Sequence, residues 1–352
     1  MSLTFERFTS LRDVREASEL LAERSGNLFA TWEWISTWWR HFGAERPLTG
    51  VIARRPGGDP AALVALYLSS SRPLRVLRFV GSGPSDWLGP VHAPTEEALA
   101  ADAMRQALDE APSWDVLLAE RLRDGRVLPR GTSATLVVEE GFPILSFQGR
   151  SWEELLSGYT ANLRRQIGKL ERRLKRSHRL TYRLSTDPDR LDDDLTVLFG
   201  LHQARWQQSG SGALDSSRQA FHRDFARLAQ GRGWLRLWIM ELDGQPVAAW
   251  YGFRFGWAEW SYQVGRDPAR DRDSVGFVLT CQTIRAALND GAQAYWFLRG
   301  AEPYKGRFTS TDPGVRTLLV AQGFRGRAAR SVVARLDRLP ETIRRRARTL
   351  AG

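Results

Sequence analysis

The sequence predicts an α/β protein with mixed sheets, α+β in character, arranged as two domains. Three observations predict it. From Trp234 the chain runs through three apolar, aromatic-rich stretches, WLRLWIMELDGQPVAAWYGFRFGWAEWSYQVG. Asp243-Gly244 divides the first two, a hairpin signal because both turn positions need positive φ. Gly256 marks the next division. Then, after a polar loop, FVLTCQTIRAALND places Phe277, Cys281, Ile284 and Leu288 at helical spacing. Gly291 follows where a helix takes a left-handed cap, and AYWFLRG reads as a further buried strand. Finally, 352 residues with 42% hydrophobic and 26% charged content suit about two domains, each able to bury a core.

The N-terminal half carries strands and helices in a similar succession. SLRDVREASELLAERSG has Leu11, Val14, Ala17, Leu20 and Leu21 on one face and Gly26 beyond its end, a helix. Phe29 to Phe42 reads as a second helix, rich in Trp. LTGVIARRPGGDPAALVALYLSSS is a hairpin around a Pro/Gly/Asp turn, and PLRVLRFVG is another strand. Ser85-Asp86-Trp87 then lies in a loop, where functional side chains are often displayed. Thr95 to Ala111 is helical, WDVLLAERL is a strand, and ATLVVEEGFPILSF holds one or two more.

From Trp152 to Leu174 apolar residues step by three or four, which predicts one long amphipathic helix over 152–177. Its other faces carry Arg164, Arg165, Lys169, Arg172, Arg173, Lys175 and Arg176 against only Glu171. Charge of one sign repels itself and lacks the alternation that supports an isolated helix. Phosphates would neutralise it; a merely solvated face is the bland alternative. Beyond a strand-like RSVVARL, Pro340 leads into an Arg-rich tail.

The net charge of +11 favours anionic partners: nucleic acid, phosphorylated cofactors or a membrane surface. Arg-rich composition alone produces the same excess. The single Cys281 excludes an internal disulfide framework and a cysteine zinc site. No apolar run reaches the ~20 residues that cross a bilayer. The opening MSLTFERFTS lacks the features of a secretion signal, so a cytoplasmic protein is expected. No Ser-His-Asp order, metal-ligand cluster, Walker loop or dinucleotide fingerprint occurs.

Six segments carry a family resemblance in order: TWEWISTWWRHFG (31–43), FVGSGPSDWLGP (79–90), NLRRQIGKLERRLKR (162–176), LHQARW (201–206), LDGQPVAAWYGF (242–253) and LRGAEPYKGRF (298–308). With the order of strands and helices, they resemble a GNAT-superfamily acyltransferase. The branch is the acetyltransferase-like domain named from cellulose-biosynthesis proteins, related to the Fem-type aminoacyl-tRNA-dependent transferases. The resemblance implies two tandem GNAT-like domains. The expected boundaries are 1–148 for a degenerate N-terminal domain, 149–338 for the C-terminal domain, and 339–352 for the basic tail.

It also implies acyl transfer by direct attack of an amine. The backbone of Gln263 and Val264, on a strand splayed at a bulge, would polarise the donor carbonyl. The next helix would aim its N-terminus at anionic oxygens, with Ser274 or Asp273 as its cap. CoA users in the family carry a basic-x-x-Gly-x-Gly/Ala loop there. This sequence has only Arg272-Asp-Ser-Val-Gly276-Phe277, which weakens acyl-CoA as donor and matches the Fem-like relatives.

GAEPYKGRF is the chemical cluster. Glu302 would take the amine proton, Tyr304 would supply one to the leaving group, and Lys305, with Arg307 beside it, would hold a phosphate or the donor carbonyl. The bland alternative is a Glu–Lys lock with a packed tyrosine. Asp86, at the family's acidic position, would hold the acceptor amine or cap a turn. His202 is a structural or a catalytic histidine.

The expected function is amide formation by transfer of an aminoacyl group from aminoacyl-tRNA to a small-molecule amine. An acyl-CoA donor is one alternative, and a non-catalytic RNA- or polysaccharide-pathway binding protein is another. No tightly bound cofactor or metal is expected, and a tandem repeat can stand alone as a monomer.

Overall fold

The computed structural model describes residues 3–43, 45–207, 214–300 and 302–336. The expected basic tail lies outside them.

In chain order the first elements are β1 (Thr4–Phe8), α1 (Arg15–Ser25), α2 (Trp32–Trp38), β2 (Leu48–Arg54), β3 (Pro60–Ser70), β4 (Val76–Phe79), β5 (Val91–His92), α3 (Glu97–Glu110), β6 (Val116–Leu122) and β7 (Ala134–Glu140). There follow β8 (Ile144–Ser146), α4 (Trp152–Ser157), α5 (Ala161–Ser177), β9 (Leu180–Leu184), α6 (Leu191–Gln207), α7 (Ser216–Gly231), β10 (Leu235–Leu242), β11 (Gln245–Phe255), β12 (Ala258–Arg266), α8 (Val275–Asn289) and β13 (Ala294–Trp296). The chain closes with β14 (Val315–Ala321) and α9 (Gly323–Leu336).

Two compact units result, 1–140 with 314–352, and 141–313. Sheet order in the first is β1-β2-β3-β4-β6-β14-β7, with β5 attached to β3; in the second it is β8-β13-β12-β11-β10-β9. The order β1-α1-α2-β2-β3-β4-α3-β6 is repeated as β9-α6-α7-β10-β11-β12-α8-β13. Leaving aside the short β5, the strand before the last helix of each copy pairs in parallel with the strand after it, β4 with β6 and β12 with β13.

The division differs from the expected one. The first boundary falls after Glu140, and β14 returns to the first sheet, where it pairs antiparallel with β6 on one side and β7 on the other. Without it β7 would have no strand partner, so the exchange satisfies backbone groups that local sequence leaves open.

Two expected elements also differ. The helix expected over 152–177 is broken at Gly158 into α4 and α5, and Thr160 caps the second piece by accepting the Leu163 N–H at 3.3 Å. The Arg164 guanidinium bonds the Ser157 and Tyr159 carbonyls at 2.9 and 2.8 Å, closing the break. RSVVARL is helical, part of α9, rather than a strand. The Asp243-Gly244 turn is as expected, with φ of 54° and 82°.

The second unit's core gathers β10–β12, α8 and the inner faces of α4 and α5. Trp250 is fully buried in it, Trp260 and Trp296 are fully buried elsewhere in the same unit, and Trp34 and Trp38 are fully buried in the first unit. These tryptophans are core.

Candidate active site

The site forms where β12 parts from its parallel neighbour. β13 pairs with β12 only from Ala258 to Trp260. Opposite Tyr251/Gly252 the register of β12 shifts by one residue, a bulge centred on Tyr262. Bulges bend a strand and re-aim the residues beyond them. Past Trp296 the chain turns away instead, with Phe297 donating to the Pro143 carbonyl at 3.0 Å.

The edge of β12 after the bulge is therefore open, and strand alternation says which groups face it. Asp267 donates its N–H to Val247 at 2.9 Å. Alternate residues of an antiparallel strand bond the same neighbour, so Gln263 and Gly265 also face β11, while Val264 and Arg266 face the open edge. Of the two expected backbone donors, Val264 is aimed at the fork and Gln263 is not.

Gln263 contributes through its side chain. Its Oε1 lies 3.1 Å from His202 Nε2 on α6. Burial pushes the His202 pKa down to about 4, so the ring is neutral near pH 7 and acts as a hydrogen-bonding wedge. The helix sits this close because residue 265 is glycine: a Cβ there would lie 2.7 Å from the His202 backbone nitrogen. One turn further along α6, Arg205 donates to the Val264 carbonyl at 2.8 Å. Its charge also acts on Glu302 and Tyr304.

These two stand on the loop after β13. Leu298 and Gly300 turn that loop with φ of 57° and 131°. A buried leucine held in the left-handed region is the kind of strain found at functional sites. Lys305, 4% exposed, bonds the Leu298 and Arg299 carbonyls at 3.4 and 3.0 Å and the Glu302 carboxylate at 2.9 Å. Lys305 is thus tied to two carbonyls and to the Glu302 carboxylate of its own loop and holds the loop's shape. Burial pushes the Glu302 carboxyl up, but Lys305 outweighs this and holds it below the ordinary range. Burial, with Glu302 nearby, pushes the Tyr304 phenol well up, so it stays protonated.

The start of α8 differs from the expectation. Ser274 occupies the cap position, but its backbone is left-handed and its side chain makes no capping bond. Asp273 does not cap either; it pairs with Arg173 of α5 at 2.5 Å and with Arg270 at 3.6 Å. Arg266 pairs with Asp271 and runs along Gly276. Phe277 stacks on Phe308 at 5.7 Å, and Arg307 lies 5.0 Å over the Phe277 ring while bonding Gln166.

On α5, Arg173 is tied to Asp273 and Lys175 to Glu171 at 2.8 Å. Arg165, Lys169, Arg172 and Arg176 are exposed and make no ion pair with a described residue. Cys281 is buried and burial pushes its thiol pKa up, which makes it inert.

The structure thus forms two groups, His202 with Gln263 beside Arg205 and Val264, and Glu302 with Lys305 beside Tyr304, and the Arg205 charge acts on both Glu302 and Tyr304. Asp86 belongs to the other unit, where it is buried in the loop after β4. Sequence reasoning missed Arg205, although it lies inside LHQARW, three residues beyond His202 and hence on the same helix face.

Residues 161–306 match the family model described as Acetyltransferase (GNAT) domain. This stretch is a GNAT domain. The first unit repeats the element order of this stretch. No curated protein matches the chain. Among solved structures it is similar to the C-terminal domain of a putative lysylphosphatidylglycerol synthetase from Agrobacterium fabrum, at 12% identity and TM-score 0.58, over 92% of this chain and 95% of that one. It is also similar to FemX, at 11% identity and TM-score 0.57, over 90% and 95%. L-PGS from Bacillus licheniformis follows the same fold at 12% identity and TM-score 0.53, over 91% and 95%. Identities this low establish shared fold. Among the described residues no helix is long and apolar enough to cross a membrane.

Proposed function

We propose that the GNAT domain forms an amide bond by moving an aminoacyl group from aminoacyl-tRNA to the amine of a small-molecule acceptor. The open edge of β12 supports the reading, because it offers the Val264 N–H, and Arg205, bonded to the same residue, acts through its charge on the Glu302 carboxylate and the protonated Tyr304 phenol. The amine nitrogen attacks the ester carbonyl; the new C–N bond forms and the bond to the tRNA ribose oxygen breaks. The Val264 N–H stabilises the developing oxyanion. Glu302, ionised at neutral pH, accepts the amine proton, and Tyr304 supplies one to the departing ribose oxygen.

Three features support tRNA as the donor. Arg165, Lys169, Arg172 and Arg176 present exposed charge with no ion pair to a described residue. The loop before α8 is knit by its own ion pairs, with Asp271 and Asp273 where a pyrophosphate would meet repulsion. The resemblance to Fem-type transferases points the same way.

The test compares binding of deacylated tRNA and of acetyl-CoA to the purified chain. Four phosphate contacts predict tRNA affinity falling with salt at a log–log slope of about −3. An R165A/R172A variant reduces that slope by about 1 to 2. Saturable acetyl-CoA binding with salt-insensitive, weak tRNA binding would instead make acyl-CoA the donor. If E302Q and Y304F leave the function intact, the chain is a binding protein on a GNAT scaffold.

A further inference from the structure

α9 belongs to the first unit and takes no part in the acyl-transfer fork. Gly326 is buried, and a Cβ there would collide with the Asp115 carbonyl oxygen. That oxygen also accepts the Gln322 N–H at 2.9 Å, and Arg330 bonds Ser133 at 2.7 Å. These contacts set which face of the helix is inward. At about 100° per residue, Phe324, Ala328 and Val332 fall about 160° to 240° around the helix from Gly326. They are the apolar members of an outward arc: Phe324 is 82% exposed, Val332 is 57% exposed and Ala328 is exposed between them, with the Ser331 and Arg335 positions at about 140° and 180°.

Arg325 and Arg327 flank this arc, exposed and without an ion pair to a described residue. The sequence beyond the helix adds Arg338, Arg344, Arg345, Arg346 and Arg348.

We propose that this face of α9 docks onto an anionic lipid surface. An arc of apolar side chains bordered by cations is the pattern that lies in a bilayer interface, with the apolar side chains among the acyl chains and the guanidiniums at the headgroups. Other occupants fit less well. Three side chains fall far short of the roughly 800 Å² per partner of a stable dimer, and like charges would repel a second copy. RNA would use the arginines but gain nothing from Val332 and Ala328.

The experiment is co-sedimentation of the full chain with phosphatidylcholine vesicles, with and without phosphatidylglycerol. Wild type should pellet with the anionic vesicles and weaken at high salt. F324S/V332S, at exposed positions that leave the melting temperature unchanged, should lower vesicle binding at least about tenfold while tRNA binding stays the same. As a second readout, V332C is labelled at its new thiol with an environment-sensitive dye, the buried Cys281 being protected. The dye emission should shift blue on anionic vesicles. No pelleting, binding that F324S/V332S does not change, an unshifted dye, or loss of tRNA binding alone would each overturn the proposal.

Discussion

Arg205 donates a 2.8 Å hydrogen bond to the carbonyl of Val264. The bond joins α6 to the open edge of β12, on the residue whose N–H faces the fork. That carbonyl belongs to the Val264–Gly265 peptide, so the bond acts on the Val264 N–H by fixing the position of the strand edge. R205A should lower acyl-transfer turnover about 10- to 100-fold. A lost hydrogen bond from a charged donor costs about 1.5–3 kcal/mol, so the melting temperature should fall by no more than about 12 °C. Turnover and calorimetry on the same preparation check this; a large Tm loss with proportionate activity loss would make the bond merely structural.

Lys305 and Glu302 should separate stability from chemistry. K305M leaves a half-buried carboxylate and two carbonyls without their cation, which should cost about 3 kcal/mol by denaturant melting. E302Q keeps a polar partner for Lys305 and should leave the midpoint within about 1 kcal/mol of wild type. Its turnover should fall about 100-fold, the range of a lost general base.

Gly265 is a packing requirement. In G265A the new methyl would lie 2.7 Å from His202 N and 2.9 Å from Leu201, both on α6. Overpacking of this kind costs about 1–3 kcal/mol. The helix must move back, which lengthens both the His202–Gln263 and Arg205–Val264 contacts. A denaturation midpoint equal to that of wild type would contradict this.

Stability should peak near pH 6.5. Burial pushes Glu259 up to about 8, with Arg236 and Arg254 offsetting only part of it. Its folded pKa exceeds the unfolded value of about 4.3, so stability falls as pH rises from about 4.5 towards about 8. Burial lowers His202 to about 4 and His222 to about 3. Each stays neutral when folded and protonates when unfolded below about 6.5, so stability also falls as pH drops below that value. Two histidines outweigh one carboxyl on the acid side; from about 6.5 to about 8 Glu259 acts, and above about 8.5 the buried Cys281 thiol adds to the fall. E259Q should flatten the alkaline limb in melting curves taken across pH 5–9 and leave the acid limb in place.

By itself the sequence determined the local elements of the second unit. Asp243-Gly244 makes its turn because both positions adopt positive φ. Residues 275–289 are a helix because their apolar side chains keep one face. Glu302, Tyr304 and Lys305 were legible as a cluster because they share the five residues of chain between Gly300 and Gly306. Tertiary structure decided everything that depends on a distant partner. The return of β14 to the first sheet depends on backbone groups of β6 and β7 nearly two hundred residues away. The break at Gly158 depends on Arg164 reaching back to two carbonyls. That Val264 rather than Gln263 aims its N–H at the fork depends on the register with β11, which a one-residue bulge resets. Arg205 joined the site only because Gly265 lets α6 approach, and hydrophobic periodicity carries no record of that distance.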